Sequence, residues 1–218
     1  MNLNQNELKN KFGKNIIFGE NLSKYSWFNL GGNAEYFYKA KNENQLKEFL
    51  REAQKNNLKV TILGAGSNTL FRDNGVKGVV IKLVQDFSFT KIISEDVIEV
   101  GAATLDRKVA NFAKDNNLAN LEFLSCIPGS IGGAIIMNSG CYDNDISKIL
   151  ISIRAINQKN FKEIEINKSD INFSYRGTDL PKDLIILSAK FKGSISKKEE
   201  INKKKNYFIE KKKLSQPS

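Results

Sequence analysis

Ser125-Cys-Ile-Pro-Gly-Ser-Ile-Gly-Gly-Ala-Ile-Ile-Met-Asn-Ser-Gly140 is the stretch on which the reading of this chain turns. Gly129, Gly132, Gly133 and Gly140 interrupt an otherwise apolar run, and each glycine costs conformational entropy on folding. A backbone that takes glycine at these places either needs a positive φ or meets another surface too closely for a Cβ atom. Pro128 fixes one φ and can open a short helix at Gly129 or Ser130. A helix N-terminus flanked by glycines suits an anionic group. A tightly packed internal turn accounts for the same residues, and the stretch taken alone leaves both readings open.

The rest of the chain narrows the choice. Its 218 residues are 40% hydrophobic and 27% charged, the balance of a folded globular protein of one large domain or two small ones. No apolar run approaches a membrane span, and the N-terminus lacks the basic-then-apolar pattern of a secretory signal, so a cytoplasmic protein without a membrane partner is expected. There is no histidine, which excludes histidine metal sites, Ser-His triads and a histidine base; no metal is expected. Cys126 and Cys141 form no disulfide framework and read as two reduced thiols, better suited to packing than to redox work. The net charge of +10 attracts anions, but lysine predominates and no basic stretch is interleaved with aromatics, so a solvated surface is expected and no nucleic acid. The densest cluster, Lys197 to Lys213, reads as one exposed helix face.

In chain order, Asn4 to Phe12 reads as a short amphipathic helix and Ala34 to Ala40 as an aromatic strand. Between them, Ser26-Trp-Phe-Asn-Leu-Gly-Gly-Asn33 is either a strand end with a turn or a backbone approach to a ligand. Asn42 caps a helix through Asn57, with Leu46, Phe49, Leu50 and Ala53 on its buried face. The strand Lys59 to Leu63 ends in Gly64-Ala-Gly-Ser-Asn68, a strand-then-glycine loop whose amides can nest around phosphate. It lacks the third glycine of a dinucleotide fingerprint and the Gly-Lys-Ser/Thr of a Walker loop. Gly75 to Gly78 reads as a turn before the strand Val79 to Leu83. Strands at Phe87 to Ile93 and Val97 to Gly101 follow. Thr104 is expected to cap a helix that buries Leu105, Val109, Phe112 and Ala113. Strands Ile149 to Asn157, Phe161 to Ile166 and Leu184 to Phe191 flank Phe173-Ser-Tyr-Arg-Gly177, and a charged helix runs from about Ser196 to Leu214.

Three features now stand together: Gly64-Ala-Gly-Ser-Asn68, Ile127-Pro-Gly-Ser-Ile-Gly-Gly-Ala134 and Ser174-Tyr-Arg-Gly177. In this order and spacing, with Phe28-Asn-Leu-Gly-Gly32 ahead of them, the chain resembles the UDP-N-acetylenolpyruvoylglucosamine reductases (MurB) from about Leu22 onward. The resemblance implies an α+β architecture, the two-part FAD-binding fold of the vanillyl-alcohol oxidase (PCMH-type) class, with FAD between the parts. It implies that Gly64, Ala65, Gly66, Ser67 and Asn68 hold the pyrophosphate. Ile127, Pro128, Gly129, Ser130, Gly132 and Gly133 would line the flavin from the other side. NADPH would reduce the flavin, and the hydride would pass to the enolpyruvyl carbon of a UDP-sugar substrate. Arg176 is the expected catalytic residue, stabilising charge that develops on the substrate carboxylate side; Tyr175 is a candidate substrate contact.

The same resemblance sets the expected domains: residues 1–84 and 85–195 as the two FAD-binding parts, and 196–218 as a charged helix leading onward. Family members continue into a third, substrate-closing domain that carries a proton-donating serine and a glutamate. The sequence stops at Ser218, so that domain is expected to be absent. The expected protein is then a monomeric reductase or, as the alternative, a flavin-binding chain with little turnover.

Overall fold

The computed structural model describes residues 5–215. The chain divides into two compact units, Met1–Asp86 with Gln158–Phe161, and Phe87–Asn157 with Lys162–Ser218.

The first unit contains α1 (Gln5–Phe12), β1 (Ile16–Asn21), β2 (Asn33–Ala40), α2 (Glu43–Lys55), β3 (Val60–Leu63) and β4 (Val76–Leu83). Its sheet runs β1-β2-β4-β3; β1 is antiparallel to β2, and β4 is parallel to both its neighbours. The helix α2 begins where the sequence requires, because the Asn42 carboxamide oxygen accepts from the Gln45 amide at 2.9 Å. Leu46, Phe49, Leu50 and Ala53 are all buried. Phe49 stacks on Tyr38 with ring centroids 3.8 Å apart and takes the edge of Phe12 at 4.9 Å, which fastens α1 and α2 to the sheet. Leu22, Phe37, Leu63, Phe71 and Val80 form a further core cluster. The short return Gln158–Phe161 belongs here: Gln54 Nε2 donates to the Lys159 carbonyl at 2.8 Å, and Arg51 lies 5.4 Å from the Phe161 ring.

The expected turn at Gly75 to Gly78 is instead the start of β4. Two steps along β2, from Ala34 to Tyr36, oppose three along β4, from Val76 to Val79, so the strand carries a β-bulge. Gly78 sits at that bulge with φ +82, and its amide donates to Glu35 Oε2 at 2.8 Å. A turn and a bulge ask for the same glycine, and pairing partners decide between them.

The second unit is built on a five-stranded antiparallel sheet. Its elements begin with β5 (Thr90–Ser94), β6 (Val97–Gly101), α3 (Asp106–Asp115), β7 (Leu118–Ala119) and α4 (Ile131–Ile136). They continue with β8 (Gly140–Cys141), β9 (Asn144–Asp145), β10 (Leu150–Asn157), β11 (Glu163–Asn167), β12 (Phe173–Ser174) and β13 (Gly177–Thr178). Then come β14 (Leu184–Lys192), β15 (Ser194–Ile195) and α5 (Lys198–Ser215). The sheet order is β11-β10-β14-β6-β5, and β8–β9, β12–β13 and β7–β15 form small pairs. Ile98, Val100, Ile153, Ala155, Ile185, Leu187, Ala189 and Phe191 are buried. The helix α5 buries Ile201 and Phe208, and its lysines do not form one solvated face: Lys205 donates to Asn111 Oδ1 at 2.5 Å and Lys212 to the Cys126 carbonyl at 2.7 Å.

Three expectations fail in this unit. Phe87 lies in a short 3-10 turn rather than a strand. Thr104 does not cap α3; its hydroxyl donates to the Phe89 carbonyl at 3.0 Å. Leu105 precedes α3 and is 41% exposed, and the buried positions of that helix are Asp106, Val109, Ala110 and Ala113. The buried stripe is therefore set one position from the expected one at its start, which places a carboxylate where an apolar residue was anticipated.

Candidate functional site

In the first unit, the glycine loop after β3 is wedged against the segment that follows the 3-10 turn Leu22–Tyr25. Trp27 N donates to the Gly66 carbonyl at 3.2 Å, and Ser26 Oγ donates to the Thr69 carbonyl at 2.9 Å. Gly66 is left-handed at φ +76, and a Cβ there would lie 1.7 Å from the Tyr25 carbonyl oxygen. The polypeptide itself therefore requires this glycine. Gly64, Ala65 and Ser67 are half-buried and Asn68 is exposed, so the loop has an accessible edge.

Lys82 stands beside that loop and was not legible as a site residue, since it reads as an ordinary lysine in a strand. Its ammonium donates to the Gly64 carbonyl at 2.6 Å and lies 5.9 Å from the Tyr25 ring. Burial, and then the nearby Lys39, lower its pKa. A desolvated cation that meets a carbonyl at a glycine loop is suited to an anionic ligand such as a pyrophosphate.

In the second unit, the central stretch does not offer a free helix N-terminus. α4 starts at Ile131, not at Gly129 or Ser130, and Ser130 precedes it in extended conformation without a side-chain cap bond. Two of its first amides are already taken: Ile131 N donates to the Thr104 carbonyl at 3.0 Å and Gly132 N to the Ala102 carbonyl at 2.9 Å. Asp106 N donates to the Gly129 carbonyl at 3.2 Å. The residues ahead of α3 thus hold the glycine-rich stretch as a paired strip of backbone. Gly132 faces Ala102, and a Cβ at Gly129 would meet Asp106 Oδ2 at 2.5 Å. Gly133 is different: it is exposed, and a Cβ would find only Ser130 Oγ, at 3.9 Å. Nothing in the polypeptide demands glycine there, which fits a position kept bare for something outside it. Ile127 and Gly129 are half-buried, Pro128 exposed and Ser130 buried.

Asp106 is fully buried, and neither carboxylate oxygen has a hydrogen-bond partner. Burial pushes its pKa up to about 8, with the Gly129 backbone only partly offsetting this. At neutral pH the group is mostly the uncharged acid.

Arg176 and Tyr175 form the tip between β12 and β13. Arg176 has φ +58; Tyr175 is 88% exposed. The guanidinium donates to the Gly140 carbonyl at 2.9 Å and lies 4.9 Å from the Tyr175 ring. Thr178 Oγ1 donates to the Ile136 carbonyl at 3.3 Å, so the hairpin is tied to the segment leaving α4. The glycine-rich stretch and the Tyr-Arg pair are therefore brought together within this unit.

Cys141 follows Gly140. Its thiol donates to the Phe123 carbonyl at 3.5 Å, and burial first, then the adjacent Cys126, raises its pKa to about 12. Both cysteines are free, and Cys126 is buried. Such thiols pack rather than react. Among the described residues there is no cluster of metal-ligating side chains and no helix long and apolar enough to cross a membrane.

The fold and these loops define a flavoprotein. The model for the FAD binding domain matches residues 34–160. A VAO-type flavoprotein from Myceliophthora thermophila shares the fold at a TM-score of 0.55, with 14% identity over 75% of this chain and 32% of that one. The reductase (MurB) from Thermus caldophilus superposes at a TM-score of 0.80, with 27% identity over 93% of this chain and 70% of that one. The Pelagibacter ubique UDP-N-acetylenolpyruvoylglucosamine reductase is 42% identical over 212 residues, 97% of this chain and 70% of that protein. The chain belongs to the UDP-N-acetylenolpyruvoylglucosamine reductase family, and spans about 70% of the length of these relatives.

Proposed function

We propose that the chain is an FAD-dependent reductase that uses NADPH to convert UDP-N-acetylglucosamine enolpyruvate to UDP-N-acetylmuramate. The observation that carries this reading is the Arg176 guanidinium. It is exposed, parked on a main-chain carbonyl, and tied through its hairpin to the stretch whose Gly133 is left bare.

Bound FAD supplies the hydride chemistry. The chain supplies binding and electrostatics. Gly64 to Asn68 hold the pyrophosphate, with the Lys82 ammonium turning from a carbonyl to a phosphate oxygen. Ile127, Pro128, Gly129, Ser130, Gly132 and Gly133 line the flavin, and the paired backbone of this strip keeps the bare edge at Gly133 fixed. Arg176 stabilises the negative charge that builds on the substrate carboxylate. Tyr175, largely exposed beside it, contacts the substrate. In this reading the protein is a cytoplasmic monomer whose partner is the UDP-sugar, with no nucleic acid or membrane involved.

A second reading has one observation behind it, the share of the relatives' length that is covered. In it these 218 residues bind FAD but turn over slowly, because the proton donor comes from the part of the relatives' length outside them. Loss of a positioned acid costs on the order of 10²–10⁴-fold.

One anaerobic experiment tests both. The flavin is reduced with NADPH, the enolpyruvyl sugar nucleotide is added, and reoxidation is followed. Rapid reoxidation that falls ~10²-fold or more in Arg176→Ala, with FAD content unchanged, supports the first reading. Slow reoxidation supports the second. A chain that stays colourless after incubation with FAD sinks both.

A further inference from the structure

Asn138 lies just beyond α4 and is only 5% exposed, a costly place for a carboxamide unless its hydrogen bonds are made. They are. Its oxygen accepts from the Ser147 amide at 3.1 Å, and its nitrogen donates to the Ser174 carbonyl at 3.1 Å. The Ser147 amide can only donate, so it fixes the orientation of the group: oxygen toward Ser147, nitrogen toward Ser174. The backbone at Asn138 is left-handed, φ +40, and follows the end of the helix, with Met137 N on the Gly133 carbonyl and Ser139 N on the Ala134 carbonyl. The side chain thus leaves from the last turn of the helix that contains Gly133. It ends on the carbonyl two residues before Arg176.

We propose that Asn138 is the positioning residue for Arg176: its buried carboxamide fixes the β12–β13 hairpin, and so the guanidinium, relative to α4. The inference rests on the reading of Arg176 as the charge stabiliser. The arginine has a left-handed backbone and an exposed side chain, so nothing intrinsic holds its aim. Three ties do so: Asn138 to Ser174, Thr178 to Ile136, and the guanidinium itself to Gly140. When the guanidinium leaves Gly140 for a substrate carboxylate, only the first two remain. Of these, Asn138 makes the shorter and more deeply buried bond. A misplacement of about an angstrom at a charge-stabilising group is enough to cost ~10²-fold in rate.

The test uses Asn138→Asp, which keeps the acceptor for Ser147 and sets an oxygen against the Ser174 carbonyl. In the FAD-loaded 218-residue chain, the limiting rate of flavin reoxidation at saturating enolpyruvyl sugar nucleotide is expected to fall ~10–100-fold. FAD affinity should stay within ~2-fold, because additivity holds for sites that share no partner. In an Arg176→Ala background the same substitution should change the rate less than ~2-fold, the signature of one residue acting through another. Tryptic cleavage of the Arg176–Gly177 bond reads hairpin opening without turnover and should rise ~10-fold. Thr178→Val, a milder change at the same hairpin, should shift cleavage and rate in the same direction by less, and replaces Asn138→Asp if that variant does not fold. Unchanged cleavage and rate in these variants overturns the proposal, as do additive losses in the double variant. If Arg176→Ala alone leaves the rate unaltered, the reading of Arg176 falls and takes the catalytic role of Asn138 with it. The cleavage result then still shows whether Asn138 holds the hairpin.

Discussion

Replacing Asp106 with asparagine should make the protein more stable, by an amount that grows with pH. Asp106 is wholly enclosed at the start of α3, against Gly129, with both oxygens unpartnered. In the unfolded chain it loses its proton near 3.8, whereas burial holds it in the folded state until about pH 8. Between those values the folded state binds the extra proton, so by linkage stability falls as pH rises through that window and levels off above it. One proton over one pH unit is worth ~1.4 kcal/mol, so the whole interval has a ceiling of ~6 kcal/mol; partial relaxation around a buried carboxylate leaves ~2–4 kcal/mol as the working expectation. The carboxamide of Asp106→Asn cannot ionise, and any cost of burying it is the same at every pH. The assay is urea unfolding of wild type and Asp106→Asn at about pH 4, 6 and 8, which spans the window. The stability difference should shift toward the variant by ~2–4 kcal/mol between the first and last, or ~4–16 °C in melting temperature for a chain of this length. A difference that is flat with pH would refute the reasoning, because it would mean that the carboxylate finds water or a cation that the fold does not provide.

Two further outcomes test the glycine loops and their cation. Lys82→Met should weaken FAD binding ~10-fold and flatten its salt dependence, measured by flavin fluorescence across ionic strength; equal affinity would show that Lys82 serves only to brace the Gly64 carbonyl. Gly133→Val should lose FAD while melting within ~1 kcal/mol of wild type, since a Cβ there has room, whereas Gly66→Val should lower the melting temperature outright, through its contact with Tyr25 and its positive φ. Retained FAD in the Gly133 variant would show that the bare edge faces nothing.

The elements most legible in the sequence were those with their own local chemistry. The Asn42 cap and the Leu46, Phe49, Leu50, Ala53 stripe fixed α2 because a cap and a 3.6-residue period are both written along the chain. Gly78 shows where this ends. A bulge is a relation between two strands, and nothing near Gly75 to Gly78 states that Ala34 and Tyr36 will oppose it. The same limit hid Lys82 and Asn138, whose partners lie 18 and 36 residues away along the chain. The stretch after Pro128 left a helix-start site and a packed turn both open for a related reason: what decides is that its amides are used by the distant Ala102 and Thr104 carbonyls. The motif residues could be named by resemblance, but Lys82 and Asn138, whose contacts with them are long-range, could not.

The cations of this protein divide by what they rest on, and the division bears on ligand binding. Several surface lysines meet carboxylates: Lys91 with Glu99 at 2.7 Å, Lys190 with Glu165 at 2.8 Å, Lys198 with Asp115 at 2.8 Å. Lys82 and Arg176 instead rest on the carbonyls of Gly64 and Gly140, at the glycine loop and beside the glycine-rich stretch, and Lys212 rests on the Cys126 carbonyl at 2.7 Å, just before Ile127. Lys148 does likewise with Asp143, in the turn between β8 and β9, where no ligand role is proposed, so the arrangement is not by itself a mark of a site. Its consequence is nonetheless specific. Recruiting a cation from a carboxylate leaves a bare anion behind, and the incoming ligand must compete with a full charge. Recruiting one from a carbonyl exchanges a neutral acceptor for a charged one, and a charge-assisted hydrogen bond is roughly twice as strong as a neutral one. For Arg176 in its proposed role the exchange would be selective, because the more negative the incoming oxygen, the more the guanidinium would gain by leaving Gly140. A carboxylate in the place of the Gly140 carbonyl would remove that gain, so the role proposed for Arg176 is better served by a backbone carbonyl than by an acid.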